Sequence, residues 1–435
     1  MEGGGQLSEP PSVAAGAEAG AARPAVGVWR NRNLLILVAG QWVSQIGNTL
    51  FSMAVYWLVL SRTGSRADLG YVGSILSLAG LAGLLAGALV DRWDRRRTMV
   101  WTDIVRAALA FLLFAAALDH ALPVGLLVGV VFVMTLVGTL FTPAQSALVP
   151  SVVAADELVA ASSLNQSATS LAQLVGASFG GVILGLLGPV VLFGFNGASF
   201  AVSVASLLLL RLAAAPRRPP AAAALGASAR RLWADIAQGQ RVIWKSPWLR
   251  RTVPISLIVN FALAPVNYLD VAWVRQVLHL GAVVYGLFGV AIVVGMLAGA
   301  IVTGVVMSRV RLGMLLPVGL AAAGLSVMAV SRIPHAAPDL AILVAFGLFV
   351  GVLNTATGPI LQRAVPEHLL GRVFGTVVAL ATAANPLGAL LSGLAAAVLP
   401  LGTVFFAAGA LMALSSLLVL GLPDEFTLDE AALAA

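Results

Sequence analysis

The sequence has no cysteine, one lysine (Lys245), four histidines and only 10% charged residues over a length of 435. Without cysteine there are no disulfides, thiolate metal sites, haem-thiolate chemistry or cysteine nucleophiles. The single lysine follows no glycine-rich phosphate-cradling loop, which excludes a nucleotide-driven pump within this chain. His120, His279, His335 and His368 lie in or beside loops and share no metal-ligand spacing. No serine elbow and no H-E-x-x-H pattern occurs, so hydrolase chemistry has no support. No catalytic residue, metal or cofactor is expected. What the chain has in excess is apolar: 60% hydrophobic residues and a mean hydropathy of +0.99. That composition belongs to a polytopic membrane protein. The formal charge is +7, but the basic residues lie in loops between apolar runs. They read as topology signals, and no nucleic-acid partner is expected.

Apolar runs fall at 34–60, 69–90, 98–118, 123–142, 160–187, 190–211, 252–274, 282–307, 313–331, 339–358, 373–399 and 402–421. About 20 residues of helix span hydrocarbon, so each run suffices for one crossing. The reading is an all-α protein of twelve transmembrane helices in two six-helix bundles, 29–211 and 252–422. A disordered cytoplasmic tail (1–28), a cytoplasmic central loop (212–251) and an acidic cytoplasmic tail (423–435) complete it. No cleavable signal pattern occurs in 1–28, so the first run is expected to serve as an uncleaved insertion signal. Arg230 to Lys245 reads as a tether or an interfacial helix. Twenty basic residues fall on the terminal side of the helices and four (Arg62, Arg66, Arg275 and Arg332) on the other. That asymmetry predicts an inner-membrane protein with both termini cytoplasmic.

The halves repeat. A shift of 216 residues carries Gly70, Gly73 and Gly83 onto Gly286, Gly289 and Gly299. It also carries Trp57 onto Trp273, Arg95 onto Arg311, and Pro143 and Pro150 onto Pro359 and Pro366. Repeated halves with a site between them are a transporter architecture.

The first run carries Gln41, Gln45, Asn48 and Ser52 on one face. Lipid-facing amides are costly, so this stripe is expected to face a cavity or another helix. Asn165, Gln173, Asn260, Asn267, Asn354 and Asn385 add similar groups, and several together predict a wet substrate cavity. Arg106 falls about eight residues into its run, roughly 12 Å deep. Asp103, on the same face, is its expected partner. That pair reads either as structural or as contacting substrate or protons. Asp103 and Asp270 are the carboxylates expected within the spans. Asp270 has no cation within a helical turn, so it is the favoured proton site, with Asp103 and Arg106 near the substrate path.

The stretch Gly87-Ala-Leu-Val-Asp91-Arg92-Trp-Asp94-Arg95-Arg96-Arg97 places six charges between two apolar runs. Asp91 ends a helix, where the macrodipole disfavours an anion and calls for cationic partners. The pattern resembles the signature between the second and third helices of the major facilitator superfamily, with Asp94 where the family usually has glycine. Phe141-Thr-Pro-Ala-Gln-Ser-Ala-Leu-Val-Pro150, with Asp156-Glu157 and Ala161-Ser-Ser-Leu-Asn165-Gln166, resembles its macrolide-efflux and enterobactin-exporter-like branch. Gly176-Ala-Ser-Phe-Gly180-Gly181 resembles the end of a proton-antiporter motif, with Ala177 replacing proline; its plain reading is helix packing.

The resemblance implies the major facilitator fold, alternating access about a central cavity, and a cytoplasmic gate. The gate would comprise Asp91, Arg92, Arg95 and Arg96, with Arg363 and Arg372 near the eleventh helix. It implies proton-coupled export of a drug-like, macrolide-like or siderophore-like molecule. The expected partners are that small molecule, protons and the lipid bilayer, and the chain is expected to act as a monomer. The alternatives are a nutrient importer of the same fold and a non-transporting membrane sensor or accessory protein.

Overall fold

The computed structural model describes residues 27–90, 93–118, 122–211, 240, 244, 247–306, 312–364 and 367–419. Among them there is no strand. Twelve helical rods occur in chain order. Those of the first half are Arg32–Thr63, Arg66–Leu81 continued by Gly83–Val90, Arg95–Leu118, Val124–Gly138 continued by Phe141–Leu148, Leu158–Leu187 and Pro189–Leu209. In the second half, Pro247–Ala262 is continued by Ala264–Tyr268, Asp270–Ala272 and a π-helical turn, Trp273–Val277. Ala282–Val306, Leu312–Arg332, Ala336–Ala364, Glu367–Val398 and Leu401–Ser415 follow. They are called the first to twelfth helices below. Eleven are long and apolar enough to cross a membrane as they stand. The second is interrupted at Ala82, so neither of its pieces spans alone. The tail at 1–26 and the central stretch 212–239 lie outside the described residues.

Local chemistry fixes the turns. The Asn31 side chain accepts from Leu34 N at 3.1 Å and starts the first helix. Gly64, at φ 66°, stops it in the left-handed conformation that glycine adopts without strain. Ser65 then caps the second helix by accepting from Asp68 N. Gly188 and Pro189 make an equally short turn between the fifth and sixth helices. Asp94, where the family usually has glycine, caps the third helix: its Oδ1 accepts from Arg97 N at 2.8 Å.

Packing repeats with the sequence. In the first half the first helix packs on the fifth and sixth, the second on the fourth, and the third on the fourth and sixth. In the second half the seventh packs on the eleventh and twelfth, the eighth on the tenth, and the ninth on the tenth and twelfth. Between halves the second meets the eleventh and the fifth meets the eighth. Glycine permits both of these crossings. A Cβ on Gly70 would come 2.6 Å from Gly393 Cα, and one on Gly286 would come 2.6 Å from Gly181 Cα. The two crossings are equivalent under the repeat. Backbones this close gain dispersion contacts that hydrocarbon cannot replace by a hydrophobic effect.

Polar contacts clasp the halves at the end opposite the termini. Arg66 donates from Nε to Gln276 Oε1 at 2.7 Å and reaches the Ala396 carbonyl at 3.3 Å. Gln276 donates to the Gly64 carbonyl at 3.1 Å. Arg275 bonds Ser61 and lies 5.2 Å over the Trp57 ring, which stacks on Tyr285.

The crossing yields a direct expectation. Gly70→Val destabilises by about 1–3 kcal/mol through overpacking, whereas Gly80→Val, in open space, does not. Thermal unfolding of the two variants in detergent checks this; equal melting temperatures refute the packing role.

Candidate functional site: a polar cavity in the N-terminal half

A cavity of about 580 Å³ opens inside the first half, and every residue lining it comes from the first six helices. Gln41, Gln45, Asn48 and Ser52 all face it, as their spacing predicts. Asn165 and Arg106 also line it. Gln173, Asn260, Asn267, Asn354 and Asn385 are not among its walls. Asn260 instead donates to Ser256 O on its own helix at 2.9 Å, and Asn354 is exposed.

Arg106 is the cavity's one cationic wall residue. Its helix begins at Arg95, three charged residues before the apolar run, so Arg106 lies about 16 Å along the helix from its start. Its guanidinium lies 3.7 Å from Asp103 Oδ1 and donates from NH2 to Asn48 Oδ1 at 2.9 Å. It stacks 4.0 Å from the Phe200 ring centroid, a cation–π contact in a water-poor setting. A methyl group on Gly138 would come 3.4 Å from it, so the fourth helix makes room for the guanidinium there.

Asp103 is fully buried and accepts at Oδ2 from Ser203 Oγ, 2.5 Å away. Ser203 in turn accepts from Gln41 Nε2 at 3.2 Å. Gln41, Ser203, Asp103, Arg106 and Asn48 therefore form a series that leaves the first helix, passes through the sixth and third, and returns to the first. A buried ion pair is tolerable only when both members are otherwise hydrogen-bonded, and this series largely provides that. Arg106 Nε and Asp103 Oδ1 have no hydrogen-bond partner among the described residues.

Several wall residues escape a reading of the sequence. Thr135, Thr139 and Thr142 with Gln145 line the cavity from the fourth helix. Their spacings of four, three and three were a usable signal. Gln145 donates to Asn165 Oδ1 at 3.2 Å. Asn196, fully buried on the sixth helix, also lines the cavity, and its Nδ2 has no hydrogen-bond partner among the described residues.

Of the gate residues, Asp91 and Arg92 and the side chains of Arg363 and Arg372 lie outside the described residues. Arg95 donates to Ala147 O at 2.8 Å, and Arg96 to Leu207 O and Leu208 O at 2.8 and 2.7 Å. Both arginines thus cap carbonyl ends of neighbouring helices within the first half, where cations suit the macrodipole. Gly176 packs on Thr49 and Ile46, Gly180 on Met53 and Leu50, and Gly181 on Gly286. All three are close-packing positions.

Asp270 lies on the seventh helix where it kinks after Leu269, with Val271 N donating to its Oδ1 at 2.7 Å. It acts electrostatically on Tyr56 and Tyr285. Tyr56 also lines the large cavity. The expectation that Asp103 and Asp270 are the only carboxylates inside the spans fails. Asp339, in the first turn of the tenth helix, is fully buried and accepts the Trp273 indole N–H at 2.9 Å. Its place as the first residue of an apolar run suggests a boundary, whereas Trp273 from another helix closes over it.

The ion pair makes a stability prediction. Asp103→Asn leaves Arg106 uncompensated and destabilises by about 3–5 kcal/mol, whereas Asp103→Asn with Arg106→Gln recovers most of the loss. Thermal unfolding of the two variants decides it: a double mutant no more stable than the single one shows the pair is not coupled.

The chain has relatives along most of its length. It is 28% identical over 422 residues to the multidrug efflux pump Tap of Mycolicibacterium fortuitum, covering 91% of this chain and 97% of that protein. It is 23% identical over 388 residues to macrolide efflux protein A of Streptococcus pyogenes, covering 82% and 87%. Among solved structures, a D-xylose–proton symporter superposes with a TM-score of 0.68 at 14% identity, covering 90% of this chain and 98% of the other. A bacterial homologue of the lysosomal transporter Spinster, inward-facing and unoccupied, superposes at 0.65 with 13% identity, covering 89% and 94%. These two share the fold. The sequence profile of the Major Facilitator Superfamily matches residues 37–378. This chain is a multi-pass membrane protein of the Major Facilitator Superfamily, a transporter of small molecules.

Proposed function

We propose that the chain is a proton-coupled exporter of drug-like, macrolide-like or siderophore-like molecules, acting as a monomer in the inner membrane with both termini cytoplasmic. The observation that carries this reading is the cavity. Its volume lies in the range that holds drug-sized ligands. Its walls mix amides and hydroxyls with Phe51, Val55, Leu76 and Met134. Its one cation already faces Asp103, so the site suits mixed polar and apolar molecules better than anions. The names of the relatives, multidrug and macrolide efflux proteins, point the same way.

The basic asymmetry supports the orientation. On that orientation the clasp at Arg66, Arg275 and Gln276 closes the outer face, so the conformation faces inward. Asp270 is the proton site in this reading, because it lies within a span and has no cation within a helical turn of its own helix. Asp91, Arg92, Arg95 and Arg96, with Arg363 and Arg372, form the cytoplasmic gate. No catalytic step is assigned to the chain.

Expression in a transporter-deficient strain tests the export reading against a panel of dyes, macrolides and siderophores. At least one compound is expected to accumulate several-fold less. Gln45→Leu is expected to change which members are exported while leaving the protein in the membrane. A panel untouched by a well-expressed protein refutes drug export.

Topology has its own measurement. A tag placed within 217–228 is expected to react with an impermeant reagent only after the cells are opened. Labelling in intact cells reverses the orientation.

A further inference from the structure

Three polar side chains of the cavity wall gather around the Arg106 guanidinium. Asn48 of the first helix accepts from its NH2 at Oδ1, 2.9 Å away. Gly138 of the fourth helix stands against it, where a methyl group would come 3.4 Å from it. Thr139 follows that glycine and Thr135 lies one turn before it, and all of these residues line the cavity.

The bonds already made decide what each can still offer a cargo molecule. A guanidinium has donors only, so the Asn48 amide is fixed with its oxygen toward Arg106. Its Nδ2 donors have no partner among the described residues and remain available to the cavity. An asparagine that only tied helices together would spend those donors on the protein. Asn31, Asn33 and Asn260 do so, each donating from Nδ2 to a backbone carbonyl at 2.9 Å. The hydroxyls are the converse case. Thr135 gives its proton to Val131 O at 2.8 Å, Thr139 to Leu136 O at 2.7 Å and Ser52 to Asn48 O at 2.9 Å. They present only lone pairs to the cavity.

The wall holds no countercharge for a cation. Among the described residues that line the cavity, none is Asp or Glu. Asp103 lies behind Arg106, fully buried, with Oδ2 held by Ser203 and Oδ1 3.7 Å from the guanidinium. A desolvated cation in the cavity therefore meets a guanidinium and no free carboxylate, which is costly.

We propose that the cavity selects uncharged, oxygen-rich molecules over cations, and that Asn48 sets this preference by donating from Nδ2 to a carbonyl, lactone or ether oxygen of the cargo. The inference deepens the export reading and rests on it. Hydroxyl groups of the same cargo find acceptors at Thr135, Thr139 and Ser52. Arg106 is then a positioning residue: it holds the Asn48 oxygen, so that only donors are turned to the cargo. Asp103 in turn occupies Arg106 and keeps it from serving as an anion site.

The test measures equilibrium binding to the full chain in detergent with two tritiated probes. Erythronolide B is a neutral macrolactone rich in hydroxyl and carbonyl oxygens. Tetraphenylphosphonium is a permanent cation without hydrogen-bonding groups. Wild type is expected to bind the lactone more tightly than the cation. Asn48→Leu is expected to weaken the lactone about tenfold, the worth of one hydrogen bond, and to leave the cation unmoved. Asn48→Asp keeps an acceptor for Arg106 but turns an oxygen toward the cavity. It is expected to weaken the lactone and tighten the cation several-fold, an opposed response that a merely structural role does not produce.

A wild type that binds the cation as tightly as the lactone overturns the selection for uncharged cargo. Asn48 variants that move both probes alike, or neither, overturn the role of Asn48. If those variants do not fold, Thr135→Val decides with the wild-type comparison: the lactone is expected to weaken several-fold there and the cation not at all, and an unmoved lactone overturns the subsite. A wild type that binds neither probe overturns the cargo assignment. The export panel then separates the two readings, since a compound exported leaves drug export standing and none exported removes it as well.

Discussion

A guanidinium set within a membrane-spanning helix sets the terms for the first half of this protein. Arg106 is not deprotonated in a protein, and hydrocarbon offers it nothing. Its surroundings therefore have to be built. Asp103 supplies the countercharge, Asn48 an acceptor, Phe200 a ring face and Gly138 the space. Ser203 and Gln41 then hold the countercharge in place. Four helices are bound together by one side chain's needs, and the cavity is the space their polar faces leave between them.

The repeat makes plain how unevenly this chemistry is distributed. The shift of 216 residues carries Asn48, Asp103 and Arg106 onto Ala264, Gly319 and Ala322. The second half has the same helix pairings and, among the described residues, no such ring. In the other direction Asp270 and Asp339 fall on Ala54 and Pro123. The halves share backbone architecture, glycine crossings and a tryptophan. They differ in function-bearing side chains: the first holds the polar cavity, the second the carboxylates Asp270 and Asp339 within its spans. On the proposed function, a symmetric scaffold with asymmetric contents lets one half bind cargo while the other responds to the proton.

How much of this is legible in the sequence depends on how local each feature is. The helices are legible because hydropathy over 20 residues suffices for them. The glutamine stripe is legible because its period is that of one helix. The Asp103–Arg106 pair is legible because three residues separate them. Asp339 is not, since its burial is decided by Trp273, 66 positions away. The threonines of the fourth helix are muted because Thr135 and Thr139 bond carbonyls of their own helix and so look neutral in any local reading. Asn267 and Asn354 mislead in the opposite sense. An amide within an apolar run announces polarity without saying which face of the bundle receives it. Arg95 and Arg96 show the same ambiguity for charge, as their pattern marks a helix junction equally well whether the carbonyls they reach belong to one half or to both.

Tyr56 bears on how the two halves act together. It lines the cavity of the first half, packs 5.9 Å from Tyr268 of the second, and lies within electrostatic reach of Asp270. Tyr268 is fixed by Ser77, hydroxyl to hydroxyl at 2.9 Å. Coupling between two ligands requires that each alter the free energy of the other's site, and the effect is reciprocal. On the proposed assignment, a cargo molecule in the cavity touches Tyr56 directly, and a proton on Asp270 changes the electrostatic field at Tyr56. The two sites then need no long chain of intermediates, because one side chain belongs to both. The clasp above it gives that local event its reach. Arg275, five residues beyond Asp270, is the residue that holds Ser61 and Trp57 of the opposite half. A change of charge at Asp270 therefore acts on the same short helical segment that clasps the two halves at the end opposite the termini.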